Sequence, residues 1–140
     1  MRKSLYLIVL LVSVLLSGCA TMQSSKAPGT DLSMLKTFYV QRLPADTRGI
    51  EKLIAERLKM MGNTATSSDP AVPPSPVDAI ITYQDKWMWD MTMYMIKLDI
   101  QIRDGKTGLV LASGESIRPS LQRKSPEGMV EEVFTNTFKK

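Results

Sequence analysis

An alternation of apolar and polar residues across Met91–Arg103 constrains the fold of this chain more than any other feature. Successive side chains of a β-strand point to opposite faces, so this alternation predicts one long strand. Such a strand belongs in an antiparallel sheet that has one buried face and one face in water. The apolar series is Tyr94, Ile96, Leu98, Ile100 and Ile102, and the polar series is Lys97, Asp99, Gln101 and Arg103.

Three other segments have the composition of strands. They are Leu35–Arg42, Asp78–Trp87 and Leu109–Ile117. Asp104–Gly108 has the residues of a hairpin turn, and Trp87–Asp90 is predicted to be a turn or bulge. A further short strand near Thr64–Thr66 stays an alternative, ahead of an exposed proline-rich loop that ends at Val77.

Two amphipathic helices complete the pattern. Asp46 or Thr47 is expected to cap a helix that runs to Met61, and Ser125 is expected to cap a second one that begins with Pro126. Each helix has an apolar stripe at helical spacing. We therefore predict one α+β domain over residues 34–140. It would be a two-layer sandwich in which two helices pack on an antiparallel sheet of about four strands, in the order β-α-β-β-β-α.

The N-terminal segment has the organisation of a secretory signal. Arg2 and Lys3 precede an apolar run, Leu5–Leu16, which ends in the small residues Ser17 and Gly18 before Cys19. This order is typical of a segment that is removed on export. An uncleaved membrane-spanning helix would need about 20 apolar residues, and this run is shorter.

Leu16-Ser17-Gly18-Cys19 also resembles the lipobox of bacterial lipoproteins. The resemblance implies that residues 1–18 are a signal peptide, that cleavage falls between Gly18 and Cys19, and that Cys19 carries fatty chains. Ala20, rather than Asp, implies export to the outer membrane with the domain facing the periplasm. Residues 19–33, which include the polar stretch Thr21–Asp31, are predicted to form a flexible tether.

Composition excludes several classes of chemistry. The chain has no His, and its one Cys is the expected lipid site, so we expect no catalytic residues, no metal site and no cofactor. The formal charge of +4 falls to +2 once Arg2 and Lys3 are removed, which does not favour nucleic-acid binding. Gly105-Lys106-Thr107 lacks the upstream Gly of a phosphate-binding loop. A Ca²⁺ site between Asp85 and Asp90 would need more ligands than these two carboxylates, since such sites collect about six or more oxygens.

A cluster of Trp and Met residues near the start of the long strand is the strongest candidate for a binding surface. Met in such clusters forms adaptable contacts with a partner or fills a core, and thioether sulfur also binds Cu(I). If no bulge intervenes, the Met residues lie on the polar side of the strand and are partly exposed. We therefore predict contact with an envelope partner protein. The predicted contact residues are Trp87, Trp89, Met91, Met93 and Met95.

Two blocks are similar to a group of small proteobacterial outer-membrane lipoproteins of unknown function. The central block is Asp78–Tyr94, and the closing block is Ser120–Pro126 with Met129 and Val130. The resemblance implies class and location. Together with the residues, it predicts a non-enzymatic, membrane-anchored lipoprotein that binds an envelope partner. The alternative is a periplasmic lipoprotein that binds a small ligand, a lipid or Cu(I), or that assists transport.

Overall fold

The computed structural model describes residues 19–69, 72–73 and 75–139. The expected signal peptide, residues 1–18, lies outside these residues. The strands are β1 (Thr21–Lys26), β2 (Thr37–Gln41), β3 (Thr64–Ser68), β4 (Ala79–Asp90), β5 (Thr92–Asp104) and β6 (Val110–Ile117). The helices are α1 (Ile50–Met60) and α2 (Pro126–Thr137), and single 3₁₀ turns cover Leu32–Met34 and Ser120–Gln122.

The described strands form one mixed sheet in the order β1-β6-β5-β4-β2-β3. The α+β class and the two helices agree with the prediction. A wholly antiparallel sheet of about four strands is wrong, because six strands are present and β2 runs parallel to both β3 and β4. The two strands that were not counted are the edge strands, β1 and β3.

Strand β1 corrects the predicted tether over Thr21–Lys26. These residues pair antiparallel with β6, from Thr21 opposite Ile117 to Lys26 opposite Ala112. The strand is mostly exposed and has no apolar alternation. Backbone hydrogen bonds and short polar contacts hold it at the edge of the sheet, so it forms without an apolar face of its own. One such contact joins the hydroxyl oxygens of Ser25 and Ser113 over 2.8 Å.

Strand β2 lies inside the sheet and is covered on both faces. Phe38, Tyr39 and Val40 are all buried, as is typical of a strand in a parallel neighbourhood. Helix α1 connects β2 to β3, which is the crossover that two adjacent parallel strands require. The strand considered near Thr64–Thr66 is thus the second half of a β-α-β unit.

Helix α1 begins at Ile50, and its N-cap position is Gly49 rather than the predicted Asp46 or Thr47. The Asp46 carboxylate nevertheless accepts the N–H groups of Arg48 (2.7 Å), Gly49 (3.0 Å) and Ile50 (2.7 Å). Gly49 stands at the start of the helix with φ +75°, a conformation that few other residues adopt. Asp46 therefore accepts hydrogen bonds from the free N–H groups at the start of α1, although it lies in the preceding loop and not at the cap position.

Both helices pack on the same face of the sheet and contact each other. Ser125 caps α2 as predicted, since its hydroxyl oxygen accepts the Gly128 N–H over 3.1 Å. Helix α2 approaches β6 closely at Gly114, where a Cβ atom would lie 2.3 Å from Thr137 Oγ1. The central residues of the core are Phe38, Val40, Ile50, Ile54, Leu58, Ile81, Leu98, Ile100, Ile102, Met129, Val133 and Phe134.

Candidate functional site

The β4–β5 hairpin projects beyond the rest of the sheet at one end. Lys86, Lys97, Ile117 and Thr21 form a single row across β4, β5, β6 and β1. Past this row the hairpin continues from Trp87 to Met95, and we call this segment the overhang. It contains the whole predicted contact cluster.

A bulge at the base of the overhang changes which side chains face the core. Lys86 pairs with Lys97, but the next residue of β4, Trp87, pairs with Met95, so Ile96 is the extra residue on β5. Residues before Ile96 are therefore on the opposite face from the one that regular alternation predicts. Met95 is 1% exposed for this reason.

The predicted contact residues consequently separate into two groups. Met91, Trp89 and Met93 are 85%, 67% and 50% exposed, and we call these three the hairpin patch. Met95 and the half-buried Trp87 lie beneath the patch, against the main core. A partner can contact the first group directly, whereas the second group supports it.

Trp87 is fixed by two polar neighbours. The Arg48 guanidinium lies 4.2 Å from the centre of its ring, and the indole N–H donates to Asp85 Oδ2 over 2.5 Å. Asp85 is therefore engaged locally. Among the residues that the structure describes, no three His, Cys, Asp or Glu side chains are grouped to hold a metal ion.

Arg123 holds the tip of the overhang in place through several polar contacts, although the sequence indicated no role for this residue. Its guanidinium donates to the Asp90 carbonyl oxygen (2.6 Å) and to Thr92 Oγ1 (2.7 Å), and it lies 3.2 Å from the Asp90 carboxylate. It also covers the Tyr94 ring at 4.2 Å, and the Ser120 hydroxyl donates to Asp90. These contacts join residues about thirty positions apart, so the sequence carries no local signal for them.

Cys19 lies at the same end of the sheet as the overhang. It is exposed, and it precedes β1, whose first residue belongs to the row described above. The Ala20 N–H donates to Gln122 Oε1 over 3.2 Å, and the neighbouring Leu121 is 88% exposed. The proposed lipid site, the Ser120–Gln122 turn and the overhang are thus neighbours. Gly18 lies outside the described residues.

A second polar cluster is buried beside α1. The Tyr83 hydroxyl donates to Asp46 Oδ2 over 2.7 Å, and burial, partly countered by the Leu43 N–H, raises the pKa of Tyr83. Burial alone would also raise the pKa of Asp46. The hydrogen bonds that Asp46 accepts from Tyr83 and Arg48 outweigh the effect of burial, so the pKa of Asp46 is lowered. Burial and the neighbouring Asp46 raise the pKa of Glu51, whose Oε2 has no hydrogen-bond partner in the described part of the chain. These groups hold the start of α1 against β4.

Over β4, β5 and β6, the sheet face opposite the helices is open and polar. Lys97 pairs there with Glu115 (2.7 Å) and Asp99 (3.2 Å), in agreement with the predicted wet face. An open depression of about 360 Å³ crosses this face next to the ion pairs. The side chains at its edge include Gln23, Ser25, Gln84, Gln101 and Ser113.

No model of a known protein family matches the chain, and no curated protein matches it. Solved structures do share its fold. PelC from Paraburkholderia phytofirmans, described as a dodecamer, is 13% identical with a TM-score of 0.60, over 87% of this chain and 100% of that one. The dodecamer of a point variant of the same PelC gives a TM-score of 0.61. A PDZ domain protein from Parabacteroides distasonis is 14% identical with a TM-score of 0.55, over 87% of this chain and 36% of that one.

No helix within the described ranges is long and apolar enough to cross a bilayer. At these identities the solved structures establish the fold alone.

Proposed function

We propose that the protein is a non-enzymatic lipoprotein that is anchored in the outer membrane through Cys19 and that binds an envelope protein through its hairpin patch. One observation carries the proposal. The exposed Trp and Met side chains of the patch and the exposed Cys19 lie at the same end of the sheet. A lipid on Cys19 would therefore hold the patch at the membrane surface, where a partner in the same membrane can reach it.

The composition of the patch supports protein binding. Trp is strongly enriched among the residues that dominate the energy of protein interfaces, and Met adapts its shape to different contacts. Trp89 and Met93 pair across the two strands, so they form one continuous apolar surface. The bulge, Arg48 and Arg123 hold this surface in place, which lowers the conformational entropy that binding would cost.

The neighbouring folds are consistent with a protein partner. The two PelC structures are described as dodecamers, so a chain of this fold can present surfaces that bind other protein chains. The partner of the present chain is either another envelope protein or a second copy of itself.

The buried ionisable groups support a non-enzymatic role. Asp46, Tyr83 and Glu51 lie beneath α1 rather than on an accessible surface, and Asp46 is occupied by three backbone N–H groups. Their arrangement accounts for the stability of the helix start without any substrate.

A photo-crosslinking experiment in intact cells tests the proposal. Benzoylphenylalanine replaces Met93 in one variant and Met60 in a control variant. Met60 is also an exposed Met, 78% accessible, but it lies on α1 away from the overhang. We expect a discrete protein adduct at position 93 that is absent at position 60 and is lost when Trp89→Ala is added.

The mass of the adduct identifies the kind of partner. An adduct of twice the chain's mass indicates a second copy, and any other discrete mass indicates a different envelope protein. Crosslinking at position 93 that is no stronger than at position 60, or that survives Trp89→Ala unchanged, would overturn the proposed contact.

A further inference from the structure

We infer that the tip of the overhang and the Ser120–Gln122 turn seat in the surface layer of the bilayer, with Met91, Trp89 and Leu121 among the lipid headgroups. This inference rests on the proposed lipidation of Cys19 and adds a second, non-covalent contact with the membrane. The protein partner would then approach along the same membrane and contact Met93 and the Trp89 ring that pairs with it, at the level of the headgroups.

The strand register sets the depth of the tip. A strand advances about 3.3 Å per residue. Thr21 and Lys86 both belong to the row that crosses the sheet. Cys19 is two residues from Thr21 and therefore lies about 7 Å past the row, whereas Met91 is five residues from Lys86 and lies about 17 Å past it. With the strands upright on the membrane, the tip therefore extends up to about 10 Å past Cys19. Apolar faces that lie in a membrane interface are typically buried by about 5–10 Å.

The side chains at this end suit a lipid interface. Met91 and Leu121 are 85% and 88% exposed, although they are apolar. Trp89, at 67% exposure, has the amphipathic ring that favours the headgroup level of a membrane. Three large apolar side chains thus extend from two separate segments at the same end of the sheet as the expected lipid site.

The charges around the tip are compensated. Asp90 is the acidic residue nearest the apex, and its carboxylate contacts both Arg123 and the Ser120 hydroxyl. Burying an unpaired carboxylate near lipid would be costly, and this pairing reduces the cost. The same contacts tie the two loops together, so they would enter the interface as one unit.

The tip and the turn are connected to the expected lipid site, and this connection favours the bilayer as the surface that they contact. The Ala20 N–H bonds to Gln122, so the residue after the lipid site is attached to the turn that exposes Leu121. Once lipid holds Cys19 at the surface, the tip and the turn are within reach of the headgroups without any rearrangement of the fold.

Tryptophan quenching by brominated lipid tests the inference. The mature lipidated protein, which begins at Cys19, is reconstituted in phosphatidylcholine vesicles whose acyl chains are brominated near the headgroups. We expect Trp89 emission to be clearly lower than in vesicles without bromine, because Trp favours the headgroup level of a membrane. The Trp89→Phe variant keeps Trp87, which is half-buried under Arg48, and should lose little emission.

A double variant, Met91→Asp with Leu121→Asp, separates the tip from the anchor. The double variant should float with vesicles as the parent does, because Cys19 is unchanged. Its fractional loss of tryptophan emission in brominated lipid should be as small as that of the Trp89→Phe variant. Near-ultraviolet circular dichroism checks that the fold is intact.

The two proposals fail in different ways. Protein that does not float with vesicles contradicts the lipid anchor of the proposed function. Protein that floats while Trp89 stays unquenched overturns the inference, and it leaves the whole tip exposed for a protein partner. Quenching of Trp89 that is unchanged in the double variant also overturns the inference, since the tip residues would then play no part.

Discussion

Replacing Arg123 by Ala should loosen the overhang selectively. Arg123 supplies two short hydrogen bonds and an ion pair to residues at the tip, and it covers Tyr94. Beyond Ile117 strand β6 no longer flanks β5, so the Ser120–Arg123 segment takes over the lateral support. Without this support the tip of the overhang keeps only its own two-stranded pairing, because Trp87 and Met95 pack on the core only at its base, and an isolated two-stranded pairing is marginally stable in water.

The contacts indicate the size of the effect. A hydrogen bond from a charged donor contributes about 1.5–3 kcal/mol when buried, and a cation–π contact contributes about 0.5–1 kcal/mol at an exposed site. The Arg123 side chain is 29% exposed, so solvent reduces these values. We therefore expect the free energy for opening the overhang to fall by about 2 kcal/mol, which corresponds to roughly 30-fold faster amide exchange.

Hydrogen–deuterium exchange with peptide resolution measures this effect. Peptides that cover residues 88–94 should exchange faster, while those from β2 and α2 should not change. Arg103→Ala is a control that also removes a guanidinium, because Arg103 lies at the end of β5 opposite to the overhang, where it contacts Gly108 and Gln101. Exchange of residues 88–94 within twofold of the parent, or acceleration spread evenly over the sheet, would refute the proposed role of Arg123.

Three further changes test the fold. Gly114→Ala should lower the free energy of unfolding by about 1–3 kcal/mol in urea titration, since its Cβ would clash with Thr137 and Val133, whereas Gly128→Ala, whose nearest contact is 3.4 Å, should be neutral or stabilising. Ser125→Ala should cost about 1 kcal/mol in the same titration, because α2 loses its cap. Glu51→Gln should raise the melting temperature at pH 7 but not below about pH 4, where the carboxyl is protonated in both states; a lower melting temperature at pH 7 would show that the charge is needed.

The sign of the Glu51 effect follows from its pKa. Burial raises the pKa of this carboxyl in the folded state, so its ionised form destabilises the fold above its unfolded pKa. Asp46 should behave in the opposite way, because its hydrogen bonds lower its folded pKa in spite of burial. Asp46→Asn should therefore lose stability at pH 7, and that loss should shrink as the pH falls below the unfolded pKa and through the lower folded pKa.

The elements that were predicted well have a local apolar signal. Leu98, Ile100 and Ile102 are buried as the alternation indicates, and both helices lie on the sheet through their apolar stripes. Ser125 and Pro126 mark the start of α2 correctly. In each case burial depends on the period of the element itself, so a short window of sequence contains the information.

The elements that were missed depend on partners far away in the chain. Strands β1 and β3 are polar edge strands, and their pairing with β6 and β2 leaves no period in their own residues. The bulge at Ile96 depends on how Lys86 and Lys97 pair, and it reverses the expected exposure of Met95. The strand–helix–strand order around α1 was the available sign of a parallel crossover.

Mass spectrometry of the N-terminal peptide of the natural protein tests the central claim most directly. We expect the mature chain to begin at Cys19, with a diacylglyceryl group on its sulfur and no trace of residues 1–18. A chain that still begins at Met1, with a free thiol at Cys19, would contradict both the membrane anchor and the functions built on it.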